Sequence, residues 1–150
     1  MKPCFPVSPI YRCFRIHKAT GEITERYETI KQAAYLNGRN RSAMIDAIHK
    51  SKLPKGSYLF VESSKWSGVY DFRGCRVNRP LFAVKDKQAL WFPGIEYAAK
   101  SLGVCKSTIW KALGSNNYIK CLKMTVRYAN TTNDVQVLRN AGYEVEIHDE

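Results

Sequence analysis

Long apolar runs and paired cysteines are both missing from this sequence of 150 residues. No segment approaches the roughly 20 apolar residues that a membrane-spanning helix needs, and Pro3, Pro6 and Pro9 oppose a helical leader. The five cysteines include no C-x-x-C pair, which excludes the usual spacing of a disulfide framework or a zinc site. We expect reduced thiols that mostly pack as small apolar groups in a cytoplasmic protein with no membrane partner. The cysteines are Cys4, Cys13, Cys75, Cys105 and Cys121.

Clustered catalytic residues are lacking as well. The three histidines are far apart in the sequence, whereas an HNH-type nuclease needs His and Asn together around its metal ion. The sequence has no glycine-rich phosphate loop and no recognisable Ser/His/Asp or Cys/His arrangement. A pair assembled from distant carboxylates, such as Glu22, Asp71 or Asp86, is the alternative. We therefore predict a non-enzymatic protein with no catalytic residue, metal, cofactor or small-molecule substrate.

Acidic residues are scarce, since 13 Asp and Glu stand against 24 Lys and Arg and the net charge is +11. Residues 1–65 contain twelve basic and five acidic residues, and residues 66–128 contain eleven and three. Residues 129–150 contain one and five, so the excess belongs to the first two segments. A surplus of this size indicates an anionic partner, most often nucleic acid. The alternative is a basic surface that binds nothing. The acidic segment 129–150 either shields or braces the basic surface or is merely a solvated end.

An internal repeat is the strongest positive signal. Residues 27–48 read YETIKQAAYLNGRNRSAMIDAI, and residues 92–113 read FPGIEYAAKSLGVCKSTIWKAL. The two segments align without a gap at an offset of 65 and share six identical residues, where unrelated segments share roughly one or two. Such a repeat defines the structural unit of a chain. The identical pairs are Ile30/Ile95, Ala33/Ala98, Ala34/Ala99, Gly38/Gly103, Ser42/Ser107 and Ala47/Ala112.

The repeated segment has the pattern of two short helices joined by a turn. Thr29 and Gln32 have the spacing of a capping box, which marks the start of a helix. Gly38 and its counterpart Gly103 fall where the turn needs a residue in the left-handed conformation. Asn40 is placed to cap the second helix. Each copy is therefore predicted to be a helix-turn-helix.

Short alternating or β-branched stretches flank both helical pairs and predict strands. They cover 11–17, 22–27 and 57–62 around the first pair, and 81–85, 88–92 and 122–128 around the second. Residues 133–147 predict a short helix, a Gly142 cap and a final strand. The predicted fold class is α+β, a tandem repeat of a small β-hairpin/helix-turn-helix/strand module. Its predicted parts are an extended lead-in (1–10), a first module (11–62), a basic linker (63–80), a second module (81–128) and an acidic extension (129–150).

The outer faces of the second helices and the linker hold the candidate DNA contacts. A recognition helix places its N-terminal residues against base edges in the major groove, with neighbouring Lys and Arg on phosphates. Arginine reads guanine with two hydrogen bonds, and linker arginines can follow the backbone or enter a narrow minor groove. For any single residue, a solvated helix face is the alternative. The candidates are Arg39, Asn40, Arg41, Ser42, Lys106, Ser107, Thr108, Lys111, Arg73, Arg76 and Arg79.

The three tryptophans receive different predictions. Trp91 lies beside the second helical pair and is expected in the core. Trp110 aligns with Ile45 and is expected at the edge of the core rather than as a platform for a base. Trp66, in the arginine-bearing linker, is the tryptophan considered for base stacking.

The stretch IEYAAKSLGVCKSTIWKALG, residues 95–114, resembles the nuclease-associated modular domain (NUMOD), a repeat of phage and intron-encoded homing endonucleases. Residues 80–128 carry the resemblance, and residues 11–62 form a weaker second copy. The resemblance implies a small, sequence-tolerant DNA-binding module that usually accompanies a catalytic domain. The residues that match the family pattern are Ile95, Ala98, Ala99, Leu102, Gly103, Val104, Ser107, Ile109, Leu113 and Gly114.

Four positions depart from the family pattern. Cys105 stands where the family favours a serine cap, which makes the start of that helix less secure. In the first copy, Asn37 and Arg39 occupy the Leu and Val positions. Either Leu36 repacks that part of the core, or Arg39 turns outward toward a ligand, and we favour the second. His49 replaces the usual glycine after the second helix.

These observations predict sequence-tolerant binding of double-stranded DNA by two tandem modules, which would engage a bipartite site by avidity. If both recognition helices face one side, the half-sites lie about one helical turn, roughly 10 bp, apart. The roles considered are a phage or mobile-element regulator and a specificity protein beside a nuclease, in the host cytoplasm if phage-encoded. The alternative is a phage-encoded protein-interaction module or inhibitor of a host nucleic-acid enzyme, and RNA binding is a third option.

Overall fold

A computed structural model describes residues 11–49, 53–75 and 77–149 of the chain. A three-stranded antiparallel sheet has the order β2-β1-β3, and a five-stranded sheet has the order β6-β7-β4-β5-β8, in which only β8 pairs parallel to its neighbour. The strands are β1 (Cys13–His17), β2 (Ile23–Tyr27), β3 (Tyr58–Glu62), β4 (Leu81–Lys85), β5 (Gln88–Phe92), β6 (Tyr118–Ile119), β7 (Met124–Tyr128) and β8 (Glu144–Ile147). The helices are α1 (Ile30–Leu36), α2 (Arg41–His49), α3 (Ile95–Leu102), α4 (Lys106–Leu113) and α5 (Asp134–Asn140).

Both halves of the chain follow the same order of elements, strand, strand, helix, helix, strand. The first half contributes β1, β2, α1, α2 and β3, and the second contributes β4, β5, α3, α4 and β7, with the two-residue β6 inserted before β7. The α+β class predicted from the sequence is confirmed. None of the helices in the described ranges has the length and apolar character needed to cross a lipid bilayer.

Side chains alternate between two sides along the central strands. In β3, Leu59 and Val61 face a central core, while Phe60 between them faces α1 and α2. In β5, Trp91 faces the same central core, whereas Phe92 faces α3 and α4. Because successive side chains of a strand point to opposite faces, each sheet lies between its own helix pair and the shared core. The molecule thus has four layers, in the order helix pair, sheet, sheet, helix pair.

Helix α1 begins, and both helix pairs turn, as the sequence predicts. Thr29 Oγ1 accepts a hydrogen bond from Gln32 N at 3.0 Å, and Gln32 Oε1 accepts one from Glu28 N at 2.8 Å. The first bond satisfies a backbone donor that the first turn of α1 leaves without a helical partner, and the second ties the residue before the cap to the helix. Gly38 and Gly103 have φ angles of 65° and 72°, the left-handed conformation that other residues rarely adopt. The turns therefore have the same geometry in both halves.

The segment 63–80, predicted as a linker, packs onto the rest of the molecule. It begins with one 3-10 turn (Ser63–Lys65), and its Phe72 is fully buried in the central core. The buried Lys18 ties the segment to the loop after α2, because its Nζ donates to Pro54 O at 2.7 Å and to Asn78 O at 3.1 Å. The two halves are therefore joined by a common core as well as by the chain, and the module boundaries stay a prediction.

The acidic extension also packs into the fold. Helix α5 places Val135 and Leu138 in the central core, and Gly142 follows it with a φ of 96°. Strand β8 pairs with β5, so the extension adds a strand to the second sheet. Beyond β8, Asp149 Oδ1 lies 2.9 Å from His17 Nε2 on the first sheet. Of the alternatives for the tail, the described contacts favour bracing over an end that is merely solvated.

Candidate nucleic-acid interface

Helix α4 presents a cationic face on the side away from its sheet. Ile109 is fully buried against the second sheet. Lys106, Ser107 and Lys111 are exposed, and Trp110 on the same face exposes 66% of its surface. A large exposed aromatic ring among lysines is the composition expected of a surface that contacts a polyanion with planar bases.

The start of α4 has no side-chain cap. Cys105 stands at the cap position without a capping hydrogen bond, and Thr108 N donates to Cys105 O at 3.0 Å instead. The Thr108 side chain is half-buried, so it is less available to a ligand than its neighbours. The less secure helix start predicted from Cys105 agrees with this missing cap.

A groove of about 490 Å³ separates the start of α4 from the segment that leads into β4. Arg79 is held at this groove, because its guanidinium carbon lies 4.8 Å from the ring centroid of Tyr128 and its Nε donates to Ala129 O at 3.0 Å. Its Nη2 donates to Asn130 Oδ1, also at 3.0 Å. The structure thus brings one arginine of the predicted linker beside the predicted recognition helix. The lining residues are Val77, Asn78, Arg79, Gly94, Ile95, Glu96, Tyr97, Lys106, Ser107, Trp110 and Tyr128.

The carboxylate that lines this groove is paired with a lysine. Glu96 Oε2 lies 2.7 Å from Lys55 Nζ, and both side chains are exposed. The hydrogen bond and charge of Lys55 hold the pKa of Glu96 below its usual value, and Glu96 raises the pKa of Lys55. Exposed pairs stabilise a fold little. This pair offsets a negative charge that would otherwise repel phosphates at the edge of the groove.

In the first half, α2 presents Arg41 and Ser42 to solvent. Asn40 is exposed as well, and its Oδ1 accepts a hydrogen bond from Ala43 N at 2.7 Å, which caps α2 as predicted. Because Asn40 Oδ1 accepts this hydrogen bond, it is less available to a ligand. Arg41 and Ser42, which follow it, are the exposed candidates of the first copy that the helix cap does not engage.

Arg39 does not turn outward, and this prediction is corrected. The side chain is half-buried, and its guanidinium carbon lies 6.0 Å from the ring centroid of Phe60 on the helix-facing side of the first sheet. Repacking by Leu36 is wrong too, because Leu36 is 61% exposed. Arg39 aligns with Val104, and its Nε is buried.

The arginines of segment 63–80 have different environments. Arg73 forms two parallel hydrogen bonds with Asp71, from Nε to Oδ1 at 3.0 Å and from Nη2 to Oδ2 at 2.7 Å. These bonds lower the pKa of Asp71 to about 2, so its carboxylate balances Arg73 at neutral pH. Arg76 lies outside the described residues. Of the two described arginines in the segment, Arg79 lines the groove and Arg73 does not.

The tryptophan predictions are confirmed for one residue and corrected for two. Trp91 is buried in the central core, as predicted. Trp66 is half-buried against that core, whereas Trp110 is the exposed ring in the groove. The sequence contains the reason, because Trp110 follows the buried Ile109 and one helical residue rotates a side chain by about 100° away from the sheet.

The thiols and the other chemistry-bearing side chains are dispersed. Among the described residues, Cys13, Cys75, Cys105 and Cys121 form no disulfide. Burial raises the pKa of Cys13 to about 12. Cys105 and Cys121 are exposed, contrary to the expectation that most cysteines pack inside. Cys4 lies outside the described residues. Across the described ranges, His, Cys, Asp and Glu do not gather in groups of three that could hold a metal ion.

Of the groove wall opposite α4, sequence reasoning found Arg79 but missed Val77 and Tyr128. Val77 and Tyr128 are separated from α4 in the sequence, and only the pairing of β4 with β7 brings Tyr128 next to the segment before β4. The register of that pairing places Tyr128 opposite Leu81, close to Arg79 in the chain. No local pattern in the sequence specifies this register.

Comparison with known protein families finds one match. Residues 84–113 match the NUMOD1 domain, a span that runs from the end of β4 through β5 and α3 to the end of α4. No curated protein and no solved structure matches the chain significantly. The match supports a NUMOD-type module in the second half of the chain and nucleic-acid binding in general. It does not extend to residues 11–62, so the second copy stays a prediction.

Proposed function

We propose that this protein binds double-stranded DNA, with α4 as the principal recognition helix and α2 as a second one. The observation that carries the proposal is the coincidence of two features on α4. The helix lies within the span that matches the NUMOD1 domain, and its exposed face combines Lys106, Lys111 and Trp110 beside Arg79. The net charge of +11 supplies the electrostatic attraction that such binding needs.

The exposed residues of α4 suit backbone contacts better than base reading. The major groove of B-form DNA admits one helix, and Lys106, Ser107 and Lys111 would then lie near its phosphates and base edges. Lysine acts as a point charge, and serine accepts or donates to many partners, so neither fixes a sequence strongly. Arg79 and Trp110 would contact the backbone and sugars along the groove edge. Binding is accordingly proposed to tolerate sequence variation.

The first helix pair would contribute a second, weaker surface. Arg41 and Ser42 are its proposed contacts, with Asn40 occupied in the helix cap. Arg39 is left out of this set because its Nε is buried and its guanidinium carbon lies 6.0 Å from the ring centroid of Phe60. Arg73 is left out as well, since Asp71 balances its charge.

The family match supports a role beside a nuclease. The matched span is a DNA-binding module rather than a catalytic domain, which is compatible with a non-enzymatic protein. We propose a specificity or regulatory protein, phage-encoded or from a mobile element, that holds DNA for a nuclease in the cytoplasm. This protein would position the DNA, and the nuclease would cut it.

One observation favours a protein partner as the second candidate. Tyr35 and Leu36 at the end of α1 are 82% and 61% exposed, and a partner protein would cover this apolar surface. They would serve an interaction module or an inhibitor of a host nucleic-acid enzyme. Replacing both with serine should abolish such an interaction and leave DNA affinity unchanged.

The test of the principal proposal is the double variant Lys106→Ala with Lys111→Ala. We expect its affinity for a duplex to fall at least about tenfold and the slope of log affinity against log salt to fall by about two. Fluorescence anisotropy measures both quantities. The matched control is Lys85→Ala, an exposed lysine at the end of β4, which should bind as the parent protein does.

Unchanged affinity in the double variant would contradict the role of α4. Double-stranded RNA should compete weakly, because the major groove of A-form RNA is too narrow for a helix. Equal competition by RNA would favour the RNA-binding alternative.

A further inference from the structure

The two helix pairs lie on opposite outer surfaces of the molecule. The central core between the sheets contains Leu59 and Val61 from one sheet and Phe82 and Trp91 from the other. Facing sheets pack about 10 Å apart, and a helix is about 10–12 Å across. The exposed faces of α2 and α4 are therefore separated by roughly 30–40 Å of protein. Half-sites one helical turn apart would require α2 and α4 to lie on the same side of the molecule. The structure places them on opposite sides.

A single short duplex cannot contact both outer surfaces. To pass from α4 to α2 it would have to turn through about 180° around a protein a few tens of ångströms thick. The nucleosome bends DNA by only about 45° per helical turn, and the persistence length of DNA is about 150 bp. Each surface is therefore expected to take its own duplex.

Both surfaces have the charge to bind DNA separately. The α4 surface has the exposed Lys106 and Lys111, and the first helix pair has the exposed Arg41 on α2 and Lys31 on α1. Neither α2 nor α4 has an acidic residue in its first turn. Two duplexes held at this separation repel each other weakly, since the Debye length is about 8 Å at physiological ionic strength.

We propose that the protein bridges two separate DNA segments, one on the α4 surface and one on the α2 surface. The inference rests on the proposed function and extends it, because it specifies two duplexes per molecule instead of one bipartite site. The two sheets with their common core form the rigid spacer between the segments. The Lys18 contacts to Pro54 and Asn78 fix the connection between the halves, so the spacing does not depend on a flexible tether.

The test uses the full chain and two duplexes of about 15 bp, too short to bend around the molecule. One duplex is immobilised on beads and the other carries a fluorophore, and protein-dependent retention of the fluorophore measures bridging. The single-surface variants are Arg41→Glu with Ser42→Glu on α2, and Lys106→Glu with Lys111→Glu on α4. The control is Lys85→Glu, and circular dichroism melting confirms that each variant is folded.

We expect the parent protein and the control to retain the labelled duplex and to bind two duplexes per monomer. Each single-surface variant should still bind one duplex, with bridging reduced at least about tenfold. One duplex per monomer without bridging would overturn the inference and leave DNA binding intact. Bridging by both single-surface variants would overturn it too, because self-association would then be the cause.

Loss of all binding in either single-surface variant would also contradict bridging, since the surfaces would not act independently. Absence of binding to any duplex by the parent protein would reject the proposed function together with the inference.

Discussion

Tyr27 and Asn37 form a polar pair where the aligned positions of the second half hold Phe92 and Leu102. Asn37 Nδ2 donates to Tyr27 Oη at 3.0 Å and to Ala33 O at 2.7 Å. Tyr27 is 3% exposed, so its hydroxyl is shielded from water and depends on this partner. The contact between the first helix and the second strand is therefore a hydrogen bond in the first half and apolar packing in the second.

This pair predicts strong coupling between the two positions. Asn37→Leu alone should destabilise the protein by about 1–3 kcal/mol, because the buried Tyr27 hydroxyl loses its partner. Tyr27→Phe alone should cost about 0.5–1.5 kcal/mol. The double variant recreates the Phe92/Leu102 pair and should lie within about 1 kcal/mol of the parent. Urea unfolding of the four proteins measures the cycle, and additive losses would contradict the pairing.

At the scale of elements, the turns between the helices depend on glycine. Gly103 adopts φ 72° after α3, and its neighbourhood has open space for a Cβ atom. A side chain there is disfavoured by the backbone conformation alone. Gly114, which ends α4, has φ −89° and meets only ordinary contacts, so its conformation suits any residue.

These two glycines predict opposite effects of the same substitution. Gly103→Ala should destabilise the protein by about 1–2 kcal/mol through left-handed strain. Gly114→Ala should be neutral or stabilise it by up to about 1 kcal/mol, since alanine restricts the unfolded chain without strain. Thermal unfolding compares them directly. Equal destabilisation by both substitutions would contradict this, because it would show that the φ angle of the replaced glycine does not determine the effect.

The elements with local signals were predictable from the sequence. The capping box at Thr29 and Gln32, the short apolar stretches of β4 and β5 around a polar turn, and the glycines of the helix turns each act within a few residues. The short β6 has only two residues and no local pattern strong enough to predict it. The position of α5 in the central core was not predictable either, because it depends on contacts with residues far away in the chain.

At the scale of the whole molecule, the facing of the two sheets determines where the helix pairs lie. Apolar residues on both sides of β4 and β5 indicate that both faces of the second sheet are buried. They do not identify which elements pack on each face. The lysines of α4 were found from the repeat and the family resemblance. Trp110 was placed at the edge of the core although it follows the buried Ile109 in α4. Tyr128 was missed, because strand register brings it beside Arg79.

The measurement that tests DNA binding most directly is fluorescence anisotropy of the full chain with a random 30-bp duplex across a salt series. We predict sub-micromolar affinity at low salt that falls linearly with log salt, with a slope corresponding to several phosphate contacts. Absence of binding at low salt, or an affinity that does not depend on salt, would contradict the account.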